Sequence, residues 1–502
     1  MSDRRLVVVL LLPLALAPLA CASQPSRPEA TSPRPAAAAG PRAADKLQPC
    51  RVPGVDEEVR CGRYEVYEDR TSGSGRKISL NVVVLPATSA EVVPDPLVFL
   101  AGGGVAPATS YAGFLARALP TLRQHRDVLL VDQRGTGGSN ALDCELSTEA
   151  SDPVYRDEAR FRAAVRQCRS ELESKADLRY YTTPFAVDDL DDVRAWLGYP
   201  RLNFYGSSYG TTVAMVYVRQ HPGRVRAAAL QGVLPIDAPL WLEYPRSSQQ
   251  ALEAMFAACA GQADCHAAFP NVAEEYGALL QRLDHEPIRE RVAKADGAGE
   301  TEVPIDGEIL RRFVVRALTS AERLQDLPLL LHLAFGGDYR PLASRLAALG
   351  GSSGIPKGIY YSIVCSEEMT KFDPAAAPAE AVGTPAELLG ARDRQACEEW
   401  VRGWLPEGYR APVRSDVPVL LLAGSLDDVT PPRYADRLAR SLSNARRIVL
   451  PNRSHNDVDP CVTSLVEAFV AAGSTDGLDT RCLEETPDLR FTLRVDQPAG
   501  SE

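Results

Sequence analysis

Two adjacent serines, Ser207 and Ser208, lie between glycines in the stretch NFYGSSYGTT (203–212). A serine hydroxyl can attack a carbonyl carbon when it is exposed on a strained turn from a strand to a helix, where small residues two positions before and after it relieve crowding. Ser208 has glycines at both positions, Gly206 and Gly210. The spacing predicts Ser208 as a nucleophile; a Gly/Ser loop is the alternative interpretation.

The residues around this serine have the pattern of a strand followed by a helix. Residues 202–205 are mostly apolar, and apolar residues with helical spacing follow at 213–218. A serine at this junction would lie at the carboxyl edge of a sheet, which is where a catalytic turn is needed.

A serine hydroxyl is a weak nucleophile unless a histidine takes its proton and an acid orients that histidine. In PVLLLAGSLDDVTPP (418–432), an apolar run typical of a buried parallel strand ends just before Asp427 and Asp428. We choose Asp427 as the acid; Asp428, Asp237 and a solvated Asp pair are the alternatives. His455, in RRIVLPNRSHND (446–457), is the histidine that follows Asp427 and completes the order serine, acid, histidine.

Backbone N–H groups beside the reacting carbonyl would stabilise the oxyanion that forms there. The stretch PLVFLAGGGVAPA (96–108) has the pattern of a buried strand that runs into three glycines. Glycines allow the backbone to approach a substrate closely. We expect the N–H groups of Gly103 and Tyr209 to form the oxyanion hole, with a plain flexible turn as the alternative.

The sequence resembles the serine aminopeptidases of the α/β-hydrolase fold, which include proline iminopeptidase and the bacterial tripeptidyl aminopeptidases. The resemblance extends from about residue 63 to residue 482, and the motifs that carry it are DVLLVDQRGTGGS (127–139), LGYPRLNFYGSSYGTTVAMVYVRQHPGRV (197–225), GSLDDVTPP (424–432) and SH (454–455). One departure is the turn GGPG of the family, which is GGGV here and ends in Gly104 and Val105. The resemblance implies a serine exopeptidase that releases residues or short peptides from a free amino terminus through an acyl-enzyme.

An exopeptidase must hold the ammonium group of its substrate, and a carboxylate is the simplest partner for that cation. The resemblance implies an amine-binding acid in YYSIVCSEEMT (360–370), where we choose Glu367; an ordinary solvated pair of Glu367 and Glu368 is the alternative. An esterase with the same triad, or a non-catalytic binding protein on this fold, would not need this acid.

The coarse pattern predicts an α/β fold with a mostly parallel sheet, helices on both faces and an inserted helical cap. Amphipathic helices such as 309–318 and 327–335 indicate the cap. We predict a first part of the hydrolase core at 50–230, the cap at 231–416 and a second part of the core at 417–502. The predicted strands lie near Tyr64 and at 78–85, 97–100, 128–131, 202–205, 225–230, 419–422 and 448–450.

The composition predicts an extracytoplasmic protein that does not bind nucleic acid. The chain has 502 residues and a formal net charge of -11, with no basic run. An apolar stretch (6–20) after two arginines predicts a signal peptide at 1–22, followed by a Pro/Ala-rich linker at 23–49. Cys21 is a candidate site for a lipid anchor to the membrane, whereas cleavage within ACA would give a secreted protein. We therefore expect a periplasmic, membrane-anchored or secreted protein.

Ten further cysteines indicate disulfides, because an even number in a chain with a secretory signal is typical of an oxidising compartment. We expect at least three bonds between successive cysteines of the set Cys50, Cys61, Cys144, Cys168, Cys259, Cys265, Cys365, Cys397, Cys461 and Cys482. The sequence has no CxxC pattern of the kind that binds zinc, so we expect no metal and no cofactor. The expected partner is a peptide substrate.

Overall fold

The computed structural model describes residues 46–103, 106–294, 299–349, 356–371, 383–387, 389–455 and 457–495. The predicted signal peptide with Cys21, most of the predicted linker, and the glycine-turn residues Gly104 and Val105 lie outside the described residues.

Strands form a central sheet whose order is β1-β2-β3-β5-β4-β6-β7-β10-β11. In this order the pairs from β1 through β2 and β3 to β5 are antiparallel, whereas the pairs from β5 through β4, β6, β7 and β10 to β11 are parallel. This confirms the predicted mostly parallel sheet. The strands are β1 (Gln48–Cys50), β2 (Val59–Tyr67), β3 (Lys77–Leu85), β4 (Leu97–Leu100), β5 (Val128–Val131), β6 (Leu202–Ser207), β7 (Val225–Gln231), β8 (Ile288–Ala293), β9 (Glu300–Ile305), β10 (Val419–Gly424) and β11 (Ala445–Leu450).

Helices connect the strands and form most of the segment between β7 and β10. They are α1 (Ala112–Ala118), α2 (Leu122–His125), α3 (Pro153–Arg156), α4 (Glu158–Glu173), α5 (Thr183–Leu197), α6 (Tyr209–Gln220), α7 (Leu240–Gly261), α8 (Ala263–Ala268), α9 (Val272–His285), α10 (Gly307–Leu318), α11 (Ala321–Phe335), α12 (Arg340–Leu349), α13 (Lys357–Ile363), α14 (Leu389–Glu399), α15 (Pro432–Ala439) and α16 (Pro460–Ala472).

Helices cover both faces of the sheet because successive side chains of each strand point to opposite sides. In β3, Val82 and Val84 pack in the same cluster as residues of α4, α5 and α6. Their neighbours Val83 and Leu85 pack with residues of α1 and α16. The predicted fold class is therefore confirmed.

The chain between β7 and β10 builds a separate hydrophobic core, formed mainly by α7, α9, α10 and α11. This segment was predicted to be helical, but it also contains an antiparallel hairpin of β8 and β9. The hairpin strands are IRERVA and ETEVPI. Polar and apolar residues alternate in part of each, and this alternation is typical of a β-strand with one buried face. A second difference is at the amino-terminal end, where β1 begins at Gln48, inside the predicted linker.

Five disulfides join successive cysteines in the described part of the chain, which confirms the expected pairing. The bonds are Cys50–Cys61, Cys144–Cys168, Cys259–Cys265, Cys365–Cys397 and Cys461–Cys482. Among the residues described, no helix combines the length and the apolar character needed to span a membrane.

Candidate active site

Ser208 lies at a sharp turn between the end of β6 and the start of α6. Its backbone has φ 54° and ψ -122°, a conformation that non-glycine residues rarely adopt. The flanking glycines leave no room for side chains: a Cβ at Gly206 would lie 2.7 Å from the carbonyl oxygen of Gly210, and a Cβ at Gly210 would lie 2.0 Å from that of Leu100. The strained turn therefore depends on the glycine spacing from which Ser208 was predicted.

The loops after β6, β10 and β11 bring Ser208, Asp427 and His455 together. The Nε2 atom of His455 lies 2.8 Å from the Ser208 Oγ, and its Nδ1 atom lies 3.0 Å from both carboxylate oxygens of Asp427. Both Asp427 and His455 are buried. This arrangement places a base on the serine hydroxyl and an acid on the far side of the imidazole, so the base can take the serine proton.

Hydrogen bonds from its own turn hold the Asp427 carboxylate in place. Its Oδ1 accepts from the N–H groups of Val429 (2.9 Å) and Thr430 (2.7 Å), and its Oδ2 accepts from the Thr430 hydroxyl (2.7 Å). Burial alone would raise the pKa of Asp427, but the charge of His455 and these donors lower it below its usual value. Asp427 is thus suited to remain ionised and to orient the imidazole.

The two alternative acids have other partners. Asp428 is buried and accepts a hydrogen bond from the Tyr244 hydroxyl at 3.1 Å. Asp237 forms an ion pair with Arg437, with 2.8 Å between the charged atoms. Neither acid has a hydrogen bond to His455 among the described contacts, so the geometry favours Asp427.

The electrostatic environment of His455 favours proton uptake. Burial opposes the charged imidazolium, but the charge and the hydrogen bond of Asp427 outweigh it and raise the pKa of His455 above its usual value. Its contacts with Ser208 and Asp427 hold the ring, and the backbone of Gly232 lies close to it, since a Cβ at that position would lie 3.2 Å from the Cε1 atom. A fixed, basic imidazole is what general-base catalysis at a serine requires.

The two predicted oxyanion donors lie on the two segments that meet at Ser208. A Cβ at Gly102 would lie 2.8 Å from the Ser208 Cβ, so the loop after β4 packs directly on the turn. The next residue, Gly103, has φ 66°, which favours glycine. Tyr209 is the first residue of α6, and N–H groups in the first turn of a helix have no acceptor within the helix. The location of both residues is consistent with the predicted role.

Glu367 lies in a π-helical turn (Val364–Glu368) that continues α13, and it is fully enclosed by the protein. Its Oε1 accepts from the Thr183 N–H (2.7 Å), and its Oε2 accepts from the Thr183 hydroxyl (2.8 Å) and from the Tyr409 hydroxyl. Burial raises the pKa of Glu367 to about 7, although these donors oppose the shift. The predicted amine-binding acid is thus already held by three donors of its own chain.

The neighbouring Glu368 differs from Glu367 because one of its carboxylate oxygens has no hydrogen-bond partner among the described residues. Its Oε1 accepts from the Lys371 ammonium at 2.8 Å, and that ammonium also donates to the Ile236 carbonyl at 3.0 Å. Its Oε2 is buried and has no hydrogen-bond partner among the described residues. A buried carboxylate oxygen without a donor is costly, so this position is a candidate for a substrate cation.

The glutamate pair is connected to the nucleophile through Tyr209. The Tyr209 hydroxyl lies 2.6 Å from the Thr183 hydroxyl and accepts from the Gln133 amide at 3.3 Å. Thr183 in turn binds Glu367, so one chain of contacts leads from the residue after Ser208 to the acid. Neither Thr183 nor Gln133 was predicted from the sequence, although Gln133 belongs to the motif DVLLVDQRGTGGS.

That motif, DVLLVDQRGTGGS, acts mainly as a structural support. Arg134 is fully buried and forms two hydrogen bonds to Asp189 of α5, at 2.6 and 2.7 Å. Asp132 accepts from the side chain of Asn81 and from the N–H groups of Thr109 and Gly138. These contacts fix the loop that presents Gln133 to Tyr209.

Comparisons with known proteins find similarity to several peptidases. A curated relative described as a tripeptidyl aminopeptidase of Streptomyces coelicolor is 23% identical over 491 residues, which covers 89% of this chain and 87% of that protein. The serine protease Hip1 of Mycobacterium tuberculosis is 28% identical over 240 residues, or 43% of this chain and 45% of that protein. A solved structure of a proline iminopeptidase of Mycobacterium smegmatis aligns with a TM-score of 0.37 and 17% identity, covering 84% of this chain and 98% of that one.

The sequence model of the family described as "alpha/beta hydrolase fold" matches residues 95–459, which include Ser208, Asp427 and His455. The match extends over most of the chain and over the elements that position these three residues. The chain therefore belongs to the alpha/beta hydrolase fold family.

Proposed function

We propose that this protein is a serine aminopeptidase that removes residues or short peptides from a free amino terminus. The observation that carries the proposal is the contact of His455 with both Ser208 (2.8 Å) and Asp427 (3.0 Å) at a strained turn. The relatives described as tripeptidyl aminopeptidases and as a serine protease support a peptidase reaction. Ser208, Asp427 and His455 are the proposed catalytic residues.

In the proposed reaction, the Ser208 oxygen attacks the scissile carbonyl carbon while its proton passes to His455. The oxyanion is stabilised by the N–H groups of Gly103 and Tyr209. The amine leaves with the proton from His455, and a water molecule then hydrolyses the acyl-enzyme with the same histidine as base. This sequence of steps needs no metal and no cofactor.

The amino-terminal specificity rests on the glutamate pair in the cap, proposed as residues 231–416. The Oε2 atom of Glu368 is buried and has no hydrogen-bond partner in the described part of the chain, and Lys371 already neutralises that carboxylate. When Glu367 is protonated, the three groups have no net charge. An incoming ammonium adds one positive charge, which ionisation of Glu367 would balance. We therefore propose that Glu368 contacts the ammonium and that Glu367, the acid chosen from the sequence, supplies the balancing charge.

A panel of matched substrates tests this proposal. Each aminoacyl substrate is compared with its N-acetyl form and with a small neutral ester, and each is assayed with wild type, Glu367→Gln, Glu368→Gln and Ser208→Ala. Ser208→Ala should abolish turnover of all three. Each glutamine variant should lower kcat/KM for free-amine substrates by roughly ten- to a hundredfold, because Glu368→Gln removes the charged partner of the ammonium and Glu367→Gln removes the charge that balances it.

The neutral ester is the internal control, since it makes no contact with the glutamate pair and its turnover should scarcely change. An exposed substitution, Glu286→Gln, controls for the general effect of removing a carboxylate. Equal cleavage of free and blocked substrates by wild type, with no effect of either glutamine variant, would replace the aminopeptidase proposal with the esterase or endopeptidase alternative.

We further propose that the protein is extracytoplasmic and that a lipid on Cys21 anchors it to a membrane. The five disulfides support an oxidising compartment. Cys21→Ser should move the protein from the membrane fraction to the soluble fraction of cells that process the signal. A wild-type protein that is already soluble and begins within ACA would instead support plain secretion.

A further inference from the structure

A second buried carboxyl group lies beside the proposed catalytic acid. Asp428 directly follows Asp427, and its exposed fraction is 0%. Its Oδ2 accepts from the Tyr244 hydroxyl at 3.1 Å, and its Oδ1 has no partner among the described residues. One neutral donor is poor compensation for burying a charged carboxylate.

The partner of Asp428 comes from the inserted segment and not from the sheet. Tyr244 lies on α7, where its ring packs 6.2 Å from that of Trp241. It is buried in a small cluster with Val315 of α10 and Ala386. The hydrogen bond from Tyr244 therefore connects the inserted segment to the loop that carries Asp427.

That loop has a fixed local geometry on either side of Asp428. The carboxylate of Asp427 accepts from the N–H groups of Val429 and Thr430, so the turn closes around the backbone of Asp428. Tyr244 then fixes the direction of the Asp428 side chain. Any change in the charge or orientation of Asp428 acts within one residue of Asp427.

Several charged or titratable groups face Asp428. Asp427 and His455 lie on the core side, and Tyr244 and Arg323 lie on α7 and α11 of the inserted segment. Asp457, which follows His455, also faces Arg323 and the imidazole. Burial and the charge of Asp427 raise the pKa of Asp428 to about 7, whereas His455 and Tyr244 oppose this shift.

We propose that Asp428, held by Tyr244, is a positioning residue that sets the charge around the Asp427–His455 pair and so the pH at which His455 becomes an active base. A neutral Asp428 leaves the imidazole facing one carboxylate. An ionised Asp428 adds a second negative charge, which stabilises the imidazolium and keeps the base protonated to higher pH. This inference rests on the proposed triad but not on the proposed amino-terminal specificity.

The test is the pH dependence of Ser208 labelling by a neutral serine-directed phosphonate, which needs the triad but no substrate amine. Ser208→Ala must abolish labelling. In wild type the rate should rise with pH as His455 loses its proton. In Asp428→Asn the midpoint of this rise should move to lower pH by about one pH unit, because the second negative charge is gone.

Tyr244→Phe removes a single hydroxyl and gives an independent test of the pH midpoint. The Tyr244 hydrogen bond favours the ionised form of Asp428, so its loss should also move the midpoint to lower pH, by a smaller amount. The double variant should match Asp428→Asn alone. Asp237→Asn removes the same charge from a residue paired with Arg437 and should leave the midpoint unchanged.

Two results would overturn the inference: midpoints of Asp428→Asn and Tyr244→Phe that coincide with that of wild type, or rates that fall equally at every pH. The second result would indicate a structural role alone. Equal cleavage of free and acetylated substrates would contradict the proposed specificity without altering this measurement, so the two failures are distinguishable.

Discussion

Asp427 and Glu367 are two buried carboxyl groups of the candidate site, and their surroundings move their pKa values in opposite directions. Three neutral N–H or hydroxyl donors contact each of them, and Asp427 has the His455 imidazole in addition. At Asp427 burial is outweighed by His455 and the pKa is lowered, whereas at Glu367 burial prevails and the pKa rises to about 7. The difference is the imidazole, which can carry a positive charge.

Unlike Asp427, Glu367 has no cation among its described hydrogen-bond donors. Neutral donors stabilise a buried carboxylate only in part, and a cation is needed to keep it ionised. The cation nearest in sequence, Lys371, is bound to Glu368 instead. A substrate ammonium would supply the missing charge, which is the physical reason to place the amino terminus of a peptide beside this pair.

The largest expected effect comes from removing the charge of the first acid. Asp427→Asn should lower kcat by roughly 10⁴-fold, because an amide holds the imidazole in the wrong tautomer for accepting the serine proton. The measurement is turnover of the neutral ester, which does not depend on the glutamate pair. Asp237→Asn is the matched control, and activity of Asp427→Asn within about tenfold of wild type would assign the acid elsewhere.

The second expected effect is a dependence of the free energy of unfolding on the protonation of Glu367. The folded pKa of Glu367 lies above the usual 4.5, so the unfolded chain loses this proton first as pH rises. The free energy of unfolding should therefore fall between about pH 4.5 and pH 7, by an amount on the order of 3 kcal/mol from this group. Glu367→Gln should lack this contribution, whereas those of Asp428 and Asp393, whose pKa values are raised to about 7 and about 6, should remain.

Urea unfolding at several pH values measures the effect, since the free energy of unfolding is extrapolated from the transition at each pH. The exposed variant Glu286→Gln should retain the wild-type profile. Identical profiles for wild type and Glu367→Gln would mean that the carboxyl is not neutral in the folded protein, and the contrast with Asp427 would disappear.

The two acids also differ in how far the sequence predicted their surroundings. Asp427 was predicted from local sequence features, namely an apolar run and a turn, together with the order serine, acid, histidine along the chain. Most of its donors lie within three residues of it, so local pattern was sufficient. Ser208 was placed similarly, by glycines whose spacing the packing of the turn requires.

The surroundings of Glu367 depend on contacts that are remote in sequence. Thr183 is 184 residues away, and Tyr409 is 42 residues away. No local pattern indicates such partners, and the choice between Glu367 and Glu368 depends on which oxygen remains without a donor. The central strands were predicted because each is a short apolar run, whereas the β8–β9 hairpin was missed because the segment was interpreted from its helices alone.

The smallest expected effect is a proton linkage in ligand binding. If ammonium binding ionises Glu367, a free-amine peptide should release about one proton on binding below pH 7, and its affinity should rise by up to tenfold per pH unit. Above about pH 8 the ligand amine loses its own proton and the affinity should fall again.

Binding to Ser208→Ala, which prevents turnover, can be followed by calorimetry in buffers of different ionisation enthalpy. The N-acetyl peptide should show no such linkage, and neither should the free-amine peptide with Glu367→Gln. Proton release that is the same for free and acetylated peptides would mean that the charge balance proposed for the glutamate pair is wrong, even if Glu368 contacts the substrate.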